Sequence, residues 1–106
     1  MNHKIKKILD KKNKSKLVCL TAYSKNVAKI LDKYCDIILV GDSMANVLYG
    51  LDNTHKITIQ NIIQHTLSVK KGVKKSLLVV DMPKGSYKDQ KIAKKNAKAI
   101  MKITGC

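Results

Sequence analysis

The sequence predicts an α/β fold of three successive strand-helix units on a parallel sheet, and three observations carry that prediction. Two short apolar runs, Ile37-Ile38-Leu39-Val40 and Leu77-Leu78-Val79-Val80, are rich in β-branched residues, lack polar alternation and lead into aspartates at Asp42 and Asp81. Runs of this kind form strands covered on both faces, as in parallel sheets flanked by helices. The segments after each run place apolar residues at helical spacing with lysines opposite them. The third observation is a long connection, residues 41–57, of the type that sits above a sheet and serves a site. Side chains that do chemistry collect at the carboxyl ends of such strands.

The elements follow in order. Residues 2–16 are lysine-rich, and Ile5, Ile8 and Leu9 space a short amphipathic helix. Leu17 to Thr21 reads as the first strand. Residues 24–34 form a helix with Ser24 as N-cap, Val27, Ala28, Leu31 and Tyr34 inward, and Lys25, Lys29 and Lys33 outward. Residues 36–40 are the second strand. Thr58 caps a helix reaching Lys71, with Ile59, Ile62, Ile63, Thr66 and Val69 or Val73 inward, and Gly72 ends it. Ser76 to Val80 is the third strand. The last helix spans about 89–103 on a stripe of Ile92, Ala93, Ala97, Ile100 and Met101, with Thr104-Gly105 as its stop. This gives a basic extension over 1–16 and three strand-helix units over 17–106 of one domain. Three parallel strands leave an open edge, so the expectation is the N-terminal part of a larger α/β domain, truncated before a fourth strand.

Composition narrows the partners. The formal net charge is +15, and all 22 basic residues are lysine. Arginine, the side chain that forks onto phosphates and guanine edges, is absent, and no aromatic platform sits among the lysines. A solvated lysine surface is therefore expected, with no specific nucleic-acid partner. Cys19, Cys35 and Cys106 form no paired motif and are expected as reduced, structural thiols. His3, His55 and His65 lack metal-ligand spacing, and His65 reads as a hydrogen-bonded helix residue. No apolar stretch approaches a membrane span and no signal-peptide core is recognised, so a cytoplasmic protein with no membrane partner is expected.

Asp42 and Asp81, delivered to one sheet edge by separate strands, suit a shared divalent cation; the competing reading is a helix cap at Asp42 and an Asp-x-Pro turn at Asp81. Ser43 has the same cap alternative. Tyr23 and Tyr87 either line the mouth of a site or pack.

Leu20-Thr21-Ala22-Tyr23, Val40-Gly41-Asp42-Ser43, Asn46-Val47-Leu48-Tyr49-Gly50, Asp52-Asn53-Thr54, His65-Thr66 and Asp81-Met82-Pro83-Lys84-Gly85-Ser86-Tyr87 occur in an order and spacing that resembles ketopantoate hydroxymethyltransferase. The resemblance covers the chain from about Leu17 to Gly105. It implies a (β/α)8 TIM barrel of the phosphoenolpyruvate/pyruvate superfamily type and a homo-oligomer. It further implies transfer of a one-carbon unit from the co-substrate 5,10-methylenetetrahydrofolate to 3-methyl-2-oxobutanoate, a small 2-oxo acid, with Mg²⁺ as cofactor. Position by position, it implies that Asp42 and Asp81 bind the metal and that Asp42, Ser43 and Asp81 contact substrate. No catalytic base is expected in this chain. The resemblance puts a Lys-x-Glu-Gly-Gly motif and the base beyond Cys106, so the chain is expected to be incomplete and inactive alone. Ser24, Lys84 and His55-Lys56 depart from the family pattern. Two other classes are weighed: a response-regulator receiver domain, which Leu78-Val79-Val80-Asp81-Met82-Pro83 also resembles, and a basic nucleic-acid-binding α/β module.

Overall fold

Capping chemistry sets most helix boundaries. The computed structural model describes residues 2–106, with Met1 of the basic extension outside them. Asn2 accepts the Lys4 N–H and opens α1, His3–Asp10. Thr58 and Asn61 form a reciprocal capping box at the start of α4, Ile59–Lys70. Asp89 accepts the Ile92 N–H at the start of α5, Gln90–Thr104, which Gly105 closes in the left-handed conformation at φ 68°. Ser24 stands at the N-cap of α2, Lys25–Leu31, but its side chain makes no cap bond.

Three strands, β1 (Cys19–Thr21), β2 (Ile37–Val40) and β3 (Leu77–Val80), form one parallel sheet in the order β1-β2-β3. β2 and β3 coincide with their apolar runs, while β1 begins at Cys19, two residues later than expected. The order corrects the receiver-domain alternative: that doubly wound fold places its first strand between the second and third, whereas here the second strand is central.

Side chains alternate across the sheet. Ile38 and Val40 are fully buried against Ile62 and Val69 of α4, with Met44 and Ala45 completing the core. The register mates Thr21, Leu39 and Val79 lie in a row on the opposite face, which the helices leave uncovered. Thr66 and Thr104 are buried because each returns its hydroxyl to a carbonyl four residues back, of Ile62 and Ile100.

Three expectations need correction. Residues 41–57, expected as a loop, contain a one-turn helix α3, Met44–Val47. Tyr34, expected inward, is 73% exposed because α2 ends at Leu31, and Val27, also expected inward on that helix, is 46% exposed. Asp32 stops that helix, its carboxylate turning away to accept N–H groups from Lys74, Lys75 and Ser76. On α5 the expected stripe holds at Ile100, which is buried with Thr104, and at the half-buried Ala93 and Ala97, while Ile92 and Met101 are exposed.

Gly72 has a packing duty. A Cβ there would lie 2.4 Å from the Lys25 carbonyl oxygen and 2.7 Å from the Lys29 nitrogen, both backbone atoms that cannot swing aside. Gly72→Ala is expected to destabilise the fold by about 2–3 kcal/mol through overpacking, read as a lower urea midpoint.

At the amino end of the sheet Asp36 pairs with Lys11 at 2.5 Å and accepts the Val18 N–H, joining the basic extension to β2. The Lys11 ammonium, then the Val18 N–H, hold its carboxyl below the usual range. All three cysteines are free, and burial pushes the Cys35 thiol up.

Candidate active site

Parallel register brings Gly41 level with Asp81, one step beyond the Val40–Val80 pair, and the Asp81 N–H donates to the Val40 carbonyl at 2.9 Å. A Cβ built on Gly41 would find Asp81 Oδ2 at 3.8 Å and Ser43 Oγ at 3.8 Å. The carboxylate of one strand and the hydroxyl following the other therefore lean over the same glycine. Asp81 Oδ1 accepts the Met82 N–H at 2.9 Å, so the turn reading accounts for one oxygen and leaves Oδ2 facing this space.

Asp42 is half-buried at the end of β2, and its backbone carbonyl accepts the Ala45 N–H, starting α3. Among the described residues its carboxylate has no protein hydrogen-bond partner. Ser43 occupies the N-cap position of α3 without giving its side chain to the helix. Its hydroxyl instead shares a 2.5 Å hydrogen bond with the Tyr23 hydroxyl from the end of β1. Neither residue works as a side-chain cap.

Tyr23 also anchors a second chain of contacts. Its backbone carbonyl, which can only accept, faces His65 Nδ1 at 2.8 Å, so that nitrogen carries the proton. In the neutral ring, His65 Nε2 then accepts from the Tyr49 hydroxyl at 2.6 Å. The imidazole meets the Tyr23 and Tyr49 rings edge-on at 6.5 and 5.9 Å between centroids. His65 is thus a satisfied helix residue, as its sequence context suggests. Tyr49 escaped the sequence reading, since nothing local signals a partner sixteen residues away; its aromatic hydroxyl within Asn46-Val47-Leu48-Tyr49-Gly50 was the one available hint. Tyr23→Phe is expected to cost about 1 kcal/mol, the worth of one lost hydrogen bond, seen as a lower thermal midpoint with unchanged circular dichroism.

The oxygen donors at this edge, two carboxylates and a hydroxyl, match a hard cation that takes one or two protein carboxylates and fills its shell with substrate oxygens and water. Among the described residues no group of three or more His, Cys and Asp side chains gathers as a metal-ligand set.

The departures from the family pattern fall elsewhere. His55, Lys56 and Lys84 line one cavity of about 610 Å³ with Thr58 and Ile63. Ser24 is exposed, as is Tyr87. Among the described residues no helix is long and apolar enough to cross a membrane.

A protein named 3-methyl-2-oxobutanoate hydroxymethyltransferase from Pelagibacter ubique is 53% identical over 106 residues, all of this chain and 41% of that protein. A protein of the same name from Rhizobium etli is 48% identical over 91 residues, 85% of this chain and 33% of its own length. Another from Anaplasma marginale is 47% identical over 96 residues, 91% and 35% respectively. The chain thus spans about two fifths or less of these relatives. The family model for ketopantoate hydroxymethyltransferase matches residues 2–106, and with these relatives it shows that the chain belongs to the ketopantoate hydroxymethyltransferase family.

Proposed function

We propose that this chain supplies the amino-terminal part of a cytoplasmic, homo-oligomeric (β/α)8 enzyme that transfers a hydroxymethyl group from 5,10-methylenetetrahydrofolate to 3-methyl-2-oxobutanoate, giving 2-dehydropantoate. The observation that carries this reading is the meeting of Asp81 Oδ2 and Ser43 Oγ over Gly41 at the carboxyl ends of adjacent parallel strands. The unbroken β1-β2-β3 order, with helices on one face and Thr21, Leu39 and Val79 on the other, supports a partial barrel.

The carbon to be alkylated bears a weakly acidic hydrogen, and its removal needs stabilisation of the enolate oxygen. Asp42 and Asp81 would hold a Mg²⁺ ion, which when bound supplies Lewis acidity toward the keto oxygen and carboxylate of the oxo acid. Gly41 keeps the space over the strand end open to substrate, because a side chain there would meet both polar groups. Ser43, held by Tyr23, is oriented to donate to the substrate carboxylate when the Tyr23 hydroxyl takes the donor role and leaves the serine proton free. In this reading the proton-abstracting base lies outside residues 1–106.

The test is a chimera in which this chain replaces the matched 106 residues of the Pelagibacter relative. The expected result is Mg²⁺-dependent formation of 2-dehydropantoate and Mg²⁺-dependent loss of deuterium from C3-labelled oxo acid. A folded chimera that does neither overturns the reading. The 106-residue chain alone is expected to show no turnover, and robust turnover by it would overturn the placement of the base.

A further inference from the structure

Between α2 and the turn from α4 to β3 lies a cavity of about 310 Å³ on the side where the chain enters the third strand. Six of its eight lining residues are lysines. Lysine makes up 22 of 106 residues, so a random lining of eight would hold one or two. Lys25, Lys29 and Lys33 come from successive turns of α2 and its end, and Lys71, Lys74 and Lys75 from the turn that follows α4.

Among the described residues none of these six lysines forms an ion pair, and the one acid beside them leaves a surplus of positive charge. The single acid in the lining, Asp32, already accepts from the backbone N–H groups of Lys74, Lys75 and Ser76 with both oxygens. Among the described residues the ion pair present is Lys11–Asp36, at another place in the fold. The six lysines share one cavity, and firm backbone contacts hold their elements together. Gly72 lies against the Lys25 carbonyl too closely to admit a Cβ, the Lys25 N–H donates to Ser68 Oγ at 3.0 Å, and Asp32 pins the start of β3. The result is a concave, pre-built cluster of positive charge.

We propose that this cavity binds a small polyanion carrying two or more linked phosphate groups. A volume near 310 Å³ sits at the lower end of small-molecule sites and holds a diphosphate with its hydration. Lysine recognises phosphate as a point charge on a flexible stem and needs no planar fork. A multiply charged ligand meets several of these lysines at once, which chloride cannot do. The lining contains no aromatic side chain on which a base would stack, and this favours a small molecule over nucleic acid. The cavity is independent of the carboxylates at the opposite edge of the sheet.

The experiment titrates the ¹⁵N-labelled 106-residue chain in metal-free buffer, at about 150 mM KCl, with inorganic pyrophosphate, with adenosine diphosphate, and with a short single-stranded RNA. The expected result is one equivalent of pyrophosphate with a dissociation constant on the order of 0.1 mM, and shifts confined to residues 25–33 and 68–76. Adenosine diphosphate binding at the same residues more tightly than pyrophosphate would assign the phosphates to a nucleotide; equal affinity would assign them to the phosphate chain alone. The double variant Lys29→Gln, Lys71→Gln should weaken binding about tenfold, while Lys94→Gln, Lys98→Gln on α5 should change it less than about twofold. Shifts spread over lysines throughout the chain, equal losses in the two double variants, or binding of RNA without pyrophosphate would each overturn the proposal.

Discussion

Asp81→Asn and Asp42→Asn are each expected to lower kcat/KM of the chimera by about 100-fold or more while leaving its melting temperature nearly unchanged. Asparagine keeps the shape of the side chain and removes the charge that a divalent cation needs from a ligand; loss of one directed electrostatic contact to a developing oxyanion typically costs two to three orders of magnitude. The stability side follows from exposure: Asp81 is exposed and gives one oxygen to a neighbouring N–H, a bond the asparagine carbonyl can also accept. Mn²⁺ binding followed by electron paramagnetic resonance should fall in parallel with turnover. Ser43→Ala should behave differently, with a smaller loss of about tenfold felt chiefly in KM for the oxo acid, because in the proposed site its hydroxyl donates to the substrate carboxylate. An Asp81→Asn chimera that keeps full activity would sink the metal assignment.

Asp32→Ala should be among the most destabilising single changes outside the apolar core, about 3 kcal/mol by urea denaturation. The carboxylate is 7% exposed and collects the N–H groups of three consecutive residues at the entrance to β3. Removing it leaves those donors without a protein partner, and each unmet buried donor costs about 1–3 kcal/mol, softened where water from the adjoining cavity reaches the Lys74 and Lys75 N–H groups. The pH dependence has a definite sign. Burial works to raise the Asp32 pKa, but the N–H groups of Ser76, Lys75 and Lys74 outweigh it and the value is lowered. A carboxyl with a lowered folded value contributes stability that is complete above its unfolded pKa, about 3.9, and is lost as pH falls through the folded value. The wild-type chain should lose stability steeply below about pH 4. Asp32→Ala should show a shallower acid limb, the remainder coming from Asp36, lowered in the same direction by Lys11.

How much of this was legible in the sequence depends on the range of the signal. The strands at Ile37–Val40 and Leu77–Val80, the caps at Thr58 and Asp89, and the stops at Gly72 and Gly105 are written in neighbouring residues, and the structure places each within a residue or two. The clamp at Asp32 is not, because its partners lie more than forty residues away and its own neighbourhood reads as an ordinary helix end. The same distance hid the link from Tyr23 to His65. The α5 stripe was legible at Ile100, which is buried, but not at its margins: Ile92 and Met101 stay exposed while the self-satisfied Thr104 is buried instead. For the site, parallel register follows from the strand type, so the meeting of Gly41 and Asp81 was implicit once both runs were read as neighbours. The hydrogen bond that diverts Ser43 from its cap position was not, since it needs Tyr23 across the fold.

Because every strand pairs with the one made just before it, the sheet can be assembled in the order of translation. A nascent polypeptide that has cleared the ribosomal exit as far as Val80 already holds every partner that β2 requires on both sides, and short sequence separation keeps the entropic cost of closure low. Chains stalled just after α5 has emerged should resist protease through the Ile38–Val40 segment, whereas chains stalled before Leu77 should be cut there.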